Sequence, residues 1–156
     1  VGIIYVVFAL VAGVGLASQA AINSQLSKVV AGQPLIAALI SFATGTLALL
    51  LVCLIKTNLW EGLQNLAGQP FWKFIGGPLG ALVVFTTIFL APKVGITNML
   101  FFIIIGQLVA AMIIDHFGLI YMPVREITVW KMIGMLVVMG GLLLFFFVDK
   151  WFSIKG

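Results

Sequence analysis

The chain has 156 residues, 63% of them hydrophobic and 8% charged, with a formal net charge of +4 and a mean hydropathy of +1.30. A water-soluble domain of this size must coat itself with polar side chains, so the composition excludes one and points to an integral membrane protein. The basic residues form no cluster, which leaves nucleic-acid binding without a footing, and Cys53 stands alone, so there is neither a disulfide framework nor a thiolate metal site.

Five apolar stretches follow one another, approximately at 1–30, 35–55, 74–91, 94–114 and 127–148. Each is close to the roughly 20 residues needed to cross about 30 Å of hydrocarbon. None alternates apolar with polar residues as a barrel strand would, so all five are expected as helices of one transmembrane domain, 1–156. The first stretch is too long for a cleavable signal peptide, lacks a basic head and leads into further spans. It opens on Val1 rather than Met, so residues upstream are expected.

The first span ends in "ASQAAINSQLSK", rich in amides and hydroxyls with no carboxylate. Gln19 and Asn23 lie four apart and share a helix face, with Ala12 and Gly15 continuing it toward the membrane centre. Such a face could receive a solute, could pack against another helix, or could simply be where the helix leaves the lipid. "AGQP" then makes a turn, with Pro34 where a helix start tolerates it, and the second span carries Ser41 and Thr44 on one stripe.

The longest connection holds Leu59, Trp60, Leu63 and Leu66 at helical spacing, with Asn58 and Glu61 spaced as a capping box and Gly68 as a stop. A short helix in the headgroup layer is expected over about 58–67, anchored by Trp60 and Trp72. The third span carries Thr86 and Thr87, and Pro92 is expected to end it. Small and hydroxyl side chains are the usual glue between membrane helices, and Gly76, Gly80, Gly134 and Gly141 are spaced for close helix approach. Gln107, near the middle of the fourth span, is the amide whose depth most requires a partner.

Asp115, Glu61, Glu126 and Asp149 all fall at span ends, so no carboxylate is available to bind a proton at the membrane midplane. No catalytic constellation, phosphate loop, metal motif or cofactor motif is present, and no enzyme is expected. Lys56, Lys73, Arg125 and Lys131 fall on one side of the membrane; Lys28, Lys93, Lys150 and Lys155 fall on the other. This even division gives neither orientation a preference and is compatible with copies that insert both ways up.

"GLASQAAINSQL", "GGPLGALVV", "APKVGITN", "IIGQLVAAMIIDHFGL" and "WKMIGMLVVMGGLLL" together resemble the YdcZ-type branch of the drug/metabolite transporter superfamily, over about Gly13 to Leu144. The resemblance implies an all-α unit of five transmembrane helices in the inner or plasma membrane, half of the ten-helix fold of that superfamily. An antiparallel homodimer would then supply the inverted repeat. It implies a transporter; on the residues themselves the expected cargo is a small polar or neutral metabolite or drug, carried by alternating access, with Gln19, Asn23 and Gln107 binding substrate. Ser41, Thr44, Thr86 and Thr87 would line the pathway. The related small multidrug resistance proteins use a buried Glu in their first helix, where this chain offers only amides. Two other functions remain open on the residues: a dual-topology ion channel of the fluoride-channel kind, given the many Phe residues, and a membrane scaffold without transport.

Overall fold

The computed structural model describes residues 2–145 and 148 in full, and the backbone alone at 146, 147 and 149–152. Residues 149–156, with Asp149, Lys150 and Lys155, therefore lie outside the residues described with their side chains. Six α-helices follow in order: α1 (Ile3–Val29), α2 (Pro34–Lys56), α3 (Leu59–Gln64), α4 (Gly76–Val94), α5 (Ile96–Phe117) and α6 (Val129–Phe152). Single 3-10 turns occupy Phe71–Phe74 and Leu119–Tyr121, and no strand occurs among the described residues. The protein is all-helical because backbone amides in hydrocarbon have only their own helix to bond to. Among the described residues four segments are long and apolar enough to cross a membrane: α1, α2, Phe71–Val94 and α5. The continuous part of α6 described with its side chains, Val129–Phe145, is also apolar.

The chain divides into two compact units, Val1–Ile96 and Thr97–Gly156. In the first, α1, α2 and α4 pack pairwise into a triangle of helices. The buried stripe of α1 is Ala20, Asn23 and Ser27, that of α2 is Ala37 and Ala38, and that of α4 is Val84, Ile88 and Ala91. In α1 and α4 these recur at intervals of three and four, so they share one helix face, and four of the eight are alanines that let backbones approach. Ala37, Ala38, Val84 and Ile88 form the core cluster, with Leu26, Val30 and Phe85 packed around it. All of these residues belong to the end of the unit where α1 and α4 finish and α2 begins. Toward the opposite end Val11, Leu51 and Leu82 are exposed, which costs nothing where the solvent is lipid tails.

Local signals set the helix ends. The backbone N–H of Gly32 donates to the Ser27 carbonyl at 2.9 Å, closing the end of α1 before Pro34 opens α2. Asn58 caps α3: its Oδ1 accepts from the Glu61 backbone N–H at 3.3 Å, and its Nδ2 donates to the Glu61 carboxylate at 3.0 Å. Trp60 and Leu63 on this short element, and Leu66 just beyond it, all stay exposed.

Pro92 does not end α4 as its ring would suggest. The helix continues through it to Val94 and stops at Gly95, whose φ of +82° a side chain would strain. A proline in the last turn forfeits one intrahelical bond, and the Gly95 N–H still reaches the Ala91 carbonyl at 3.1 Å. The expected close helix approaches also need correction. Gly76, Gly134 and Gly141 have no neighbouring atom within 4 Å of a would-be Cβ, and Gly80 meets only the Phe42 ring, at 3.5 Å.

The second unit holds α5 and α6, where the Phe101 and Phe145 rings stand 4.6 Å apart and tilted by 53°. Its connecting loop folds back on the end of α5. The Arg125 N–H donates to the Asp115 carbonyl at 2.7 Å, and the Ile127 N–H donates to His116 Nδ1 at 3.4 Å. His116 thus serves as an acceptor that holds the loop.

Candidate functional site

The polar residues of the spans fall into three environments. Asn23 lies on the packed stripe of α1, only 4% exposed. Its Nδ2 donates to Ser41 Oγ at 3.1 Å, tying α1 to α2. An amide in hydrocarbon loses several kcal/mol if its groups go unpaired, by transfer estimates of about 2–7 kcal/mol, so this bond both satisfies Asn23 and pins two helices. One oxygen acceptor of Asn23, Oδ1, takes part in no hydrogen bond among the described residues.

The threonines form the second environment. Thr44 Oγ1 donates to the carbonyls of Ile40 and Ser41 at 3.0 Å each, Thr86 to Leu82 at 2.8 Å and Thr87 to Val84 at 2.8 Å. Each hydroxyl proton is therefore engaged by its own helix, which leaves the oxygen as an acceptor toward anything nearby. Thr86 and Thr87 are half-buried, and Thr44 is exposed.

Gln19 and Gln107 form the third environment. Both are exposed, and neither side chain hydrogen-bonds another described residue. Gln19 sits one turn before Asn23 and beside the buried Ala20, at the margin of the packed stripe. Gln107 is midway along α5, and nothing in its own unit covers it. Of the seven residues singled out from sequence, Asn23 and Ser41 are brought together by a direct bond. Gln107 belongs to the second unit and the other six to the first.

Several of the Phe residues make contacts within their own unit. Phe85 lies against the core cluster and stacks on Phe89 at 6.0 Å, while Phe101 meets Phe145. Sequence reasoning passed over Ser27, which is buried and lies three and four residues from Ser24 and Asn23 on the packed face. The spacing Asn23, Ser24, Ser27, Lys28 is the pattern that could have found it, since it runs polar groups along one side of α1 toward the membrane surface.

The model of the family described as "Putative inner membrane exporter, YdcZ" matches residues 4–144, which include every candidate residue above. No curated protein and no solved structure matches the chain.

Proposed function

Because the chain belongs to the YdcZ family of multi-pass inner membrane transporters, we propose that it carries a small polar or neutral metabolite or drug, with the pathway completed by a second copy in inverted orientation. The observation that carries this reading is the pair of uncovered amides, Gln19 and Gln107. Each lies in a helix built to cross hydrocarbon, and each lacks a hydrogen-bond partner among the described residues. An exposed amide on a lipid-facing surface is costly, so such positions favour burial against a partner or a water-filled path.

In this reading five spans, with α6 as the fifth, form half of a ten-helix transporter. Gln19, Gln107 and the free Oδ1 of Asn23 hydrogen-bond the solute, while the acceptor oxygens of Ser41, Thr44, Thr86 and Thr87 line its route. Amides orient a solute without fixing a proton or cation, and no acid lies deep in a span, so exchange proceeds without obligatory proton movement. The even division of basic residues lets copies insert both ways and pair antiparallel.

Two measurements test the proposal. Single cysteines placed near Lys56 and near Lys93 should each label partly from both faces of intact cells; strictly one-sided labelling would exclude inverted pairing of identical chains. Compounds that stabilise the purified protein should then show saturable counterflow in liposomes, and counterflow that never saturates would favour a channel instead.

A further inference from the structure

Where α1 and α4 end and α2 begins, the first unit borders an open, largely apolar cavity of about 290 Å³. Its polar wall consists of Ser24, Ser27, Lys28 and Lys93, and its apolar wall includes Ile88, Phe89 and Pro92. No carboxylate lines it, and α1, α2 and α4 contain no acidic residue at all. Neither lysine has an ion-pair partner among the described residues. The ammonium of Lys93 instead rests 3.5 Å from the centre of the Phe89 ring, a contact that holds the charge at the cavity wall.

Two further features mark this space as a ligand site rather than a gap between helix ends. Ser27 is 8% exposed, its side chain lines the cavity, and its hydroxyl makes no hydrogen bond to another described residue. Pro34, the first residue of α2, also lines the cavity, and Gln33 before it provides no side-chain cap, so the positive end of a 23-residue helix is unneutralised there. Lysines in the last turns of α1 and α4 complement the dipoles of those helices, but that role needs neither a cavity nor a serine hydroxyl without a protein partner beside them.

We infer that this cavity binds the phosphate of an anionic phospholipid headgroup, with Lys28 and Lys93 neutralising the phosphate and Ser27 donating to one of its oxygens. The choice of a lipid over a soluble phosphate follows from place and lining. The cavity is at the ends of three apolar helices, the level at which headgroups lie, and Ile88, Phe89 and Pro92 offer the glycerol and first acyl carbons an apolar wall. The site is separate from Gln19 and Gln107 and does not depend on what the protein carries.

The test uses the full chain purified in a neutral detergent and titrated with dioctanoyl phosphatidylglycerol, dioctanoyl phosphatidylcholine or glycerol 3-phosphate, read by thermal stability and equilibrium binding. Phosphatidylglycerol should bind saturably and raise the melting temperature; the other two should do neither at the same concentrations. Lys28→Gln and Lys93→Gln should each weaken that binding by about tenfold, and Ser27→Ala by less, because charge-assisted contacts are the stronger. Both lysines are exposed, so their variants should melt at the parent temperature without lipid, and Lys93→Arg should keep most of the affinity. Equal stabilisation by phosphatidylcholine, or undiminished phosphatidylglycerol binding in the Lys28→Gln/Lys93→Gln double variant, would overturn the site. Glycerol 3-phosphate binding as tightly as the lipid would overturn the lipid assignment.

Discussion

Asn23 and Gln107 are chemically alike and sit in opposite circumstances. Asn23 is buried in the triangle of α1, α2 and α4, with its amide committed to Ser41. Gln107 is exposed at the middle of α5, in a unit where the Phe101 and Phe145 rings meet and a loop folds back on the helix end. The contrast shows two uses of one functional group in a membrane. Where small residues let helices meet, an amide serves as a cross-link; where nothing covers it, its hydrogen bonds are free for whatever arrives. In the first unit three helices pack pairwise, and in the second the α5–α6 contact at Phe101 and Phe145 is joined by a loop folded back on the end of α5.

The largest effect should come from Gln107→Leu. It keeps the bulk of the side chain and removes its hydrogen bonds, so it should reduce solute counterflow in liposomes by at least about tenfold, the loss expected for one uncompensated bond. Melting temperature and detergent-solution size should stay at parent values. A loosened oligomer with normal counterflow would mean that Gln107 cross-links helices as Asn23 does, and the contrast would collapse.

Next in size is Gly118→Ala, aimed at the loop of the second unit. Gly118 has φ +60°, and a Cβ there would lie 2.7 Å from Val124 Cγ2 and 3.1 Å from the Met122 carbonyl oxygen. The left-handed conformation alone costs a side-chain-bearing residue about 1–2 kcal/mol. A drop of that order in unfolding free energy, with counterflow per folded molecule unchanged, would confirm that this loop supports structure.

Asn23→Leu and Ser41→Ala should each destabilise by about 0.6–2 kcal/mol, the range for an interhelical bond in a membrane protein. The double variant should lose less than the sum, since both single changes break the same 3.1 Å bond. Strict additivity would deny the cross-link.

The smallest effect belongs to His116→Ala and Asp115→Asn. Counterflow in the absence of a pH gradient should persist in both, because His116 contributes a bond to the Ile127 N–H and Asp115 its backbone carbonyl. His116→Ala should cost about 1 kcal/mol of stability through that lost acceptor. Obligatory proton movement abolished by Asp115→Asn would require a proton-coupled mechanism instead.

How far the sequence could be read depended on whether a feature is local. The all-helical class, the membrane setting and the family were legible, because some twenty consecutive apolar residues and a few short motifs can be read without knowing what touches what. The Asn58–Glu61 cap was legible for the same reason, since donor and acceptor lie within one turn. Pro92 misled because a proline in a last turn can be absorbed, and the stop came from Gly95 beyond it. The glycine spacings misled because they specify a smooth face without saying what meets it.

The sequence alone determined that this chain lives in a membrane as helices and that its deep polar groups are uncharged. Only the tertiary structure decided that Asn23 bonds to Ser41, eighteen residues away, and that Gln19, one turn before it, stays uncovered. It also brought Lys28 and Lys93 onto the wall of one cavity with an unpaired Ser27 hydroxyl. The physical reason is that lipid solvates every apolar face equally well, so hydrophobicity puts a helix in the membrane but does not choose its neighbours. That choice falls to the fit of small residues such as Ala37, Ala38 and Ala91 against other helices, a property of pairs of surfaces that no single stretch of sequence contains.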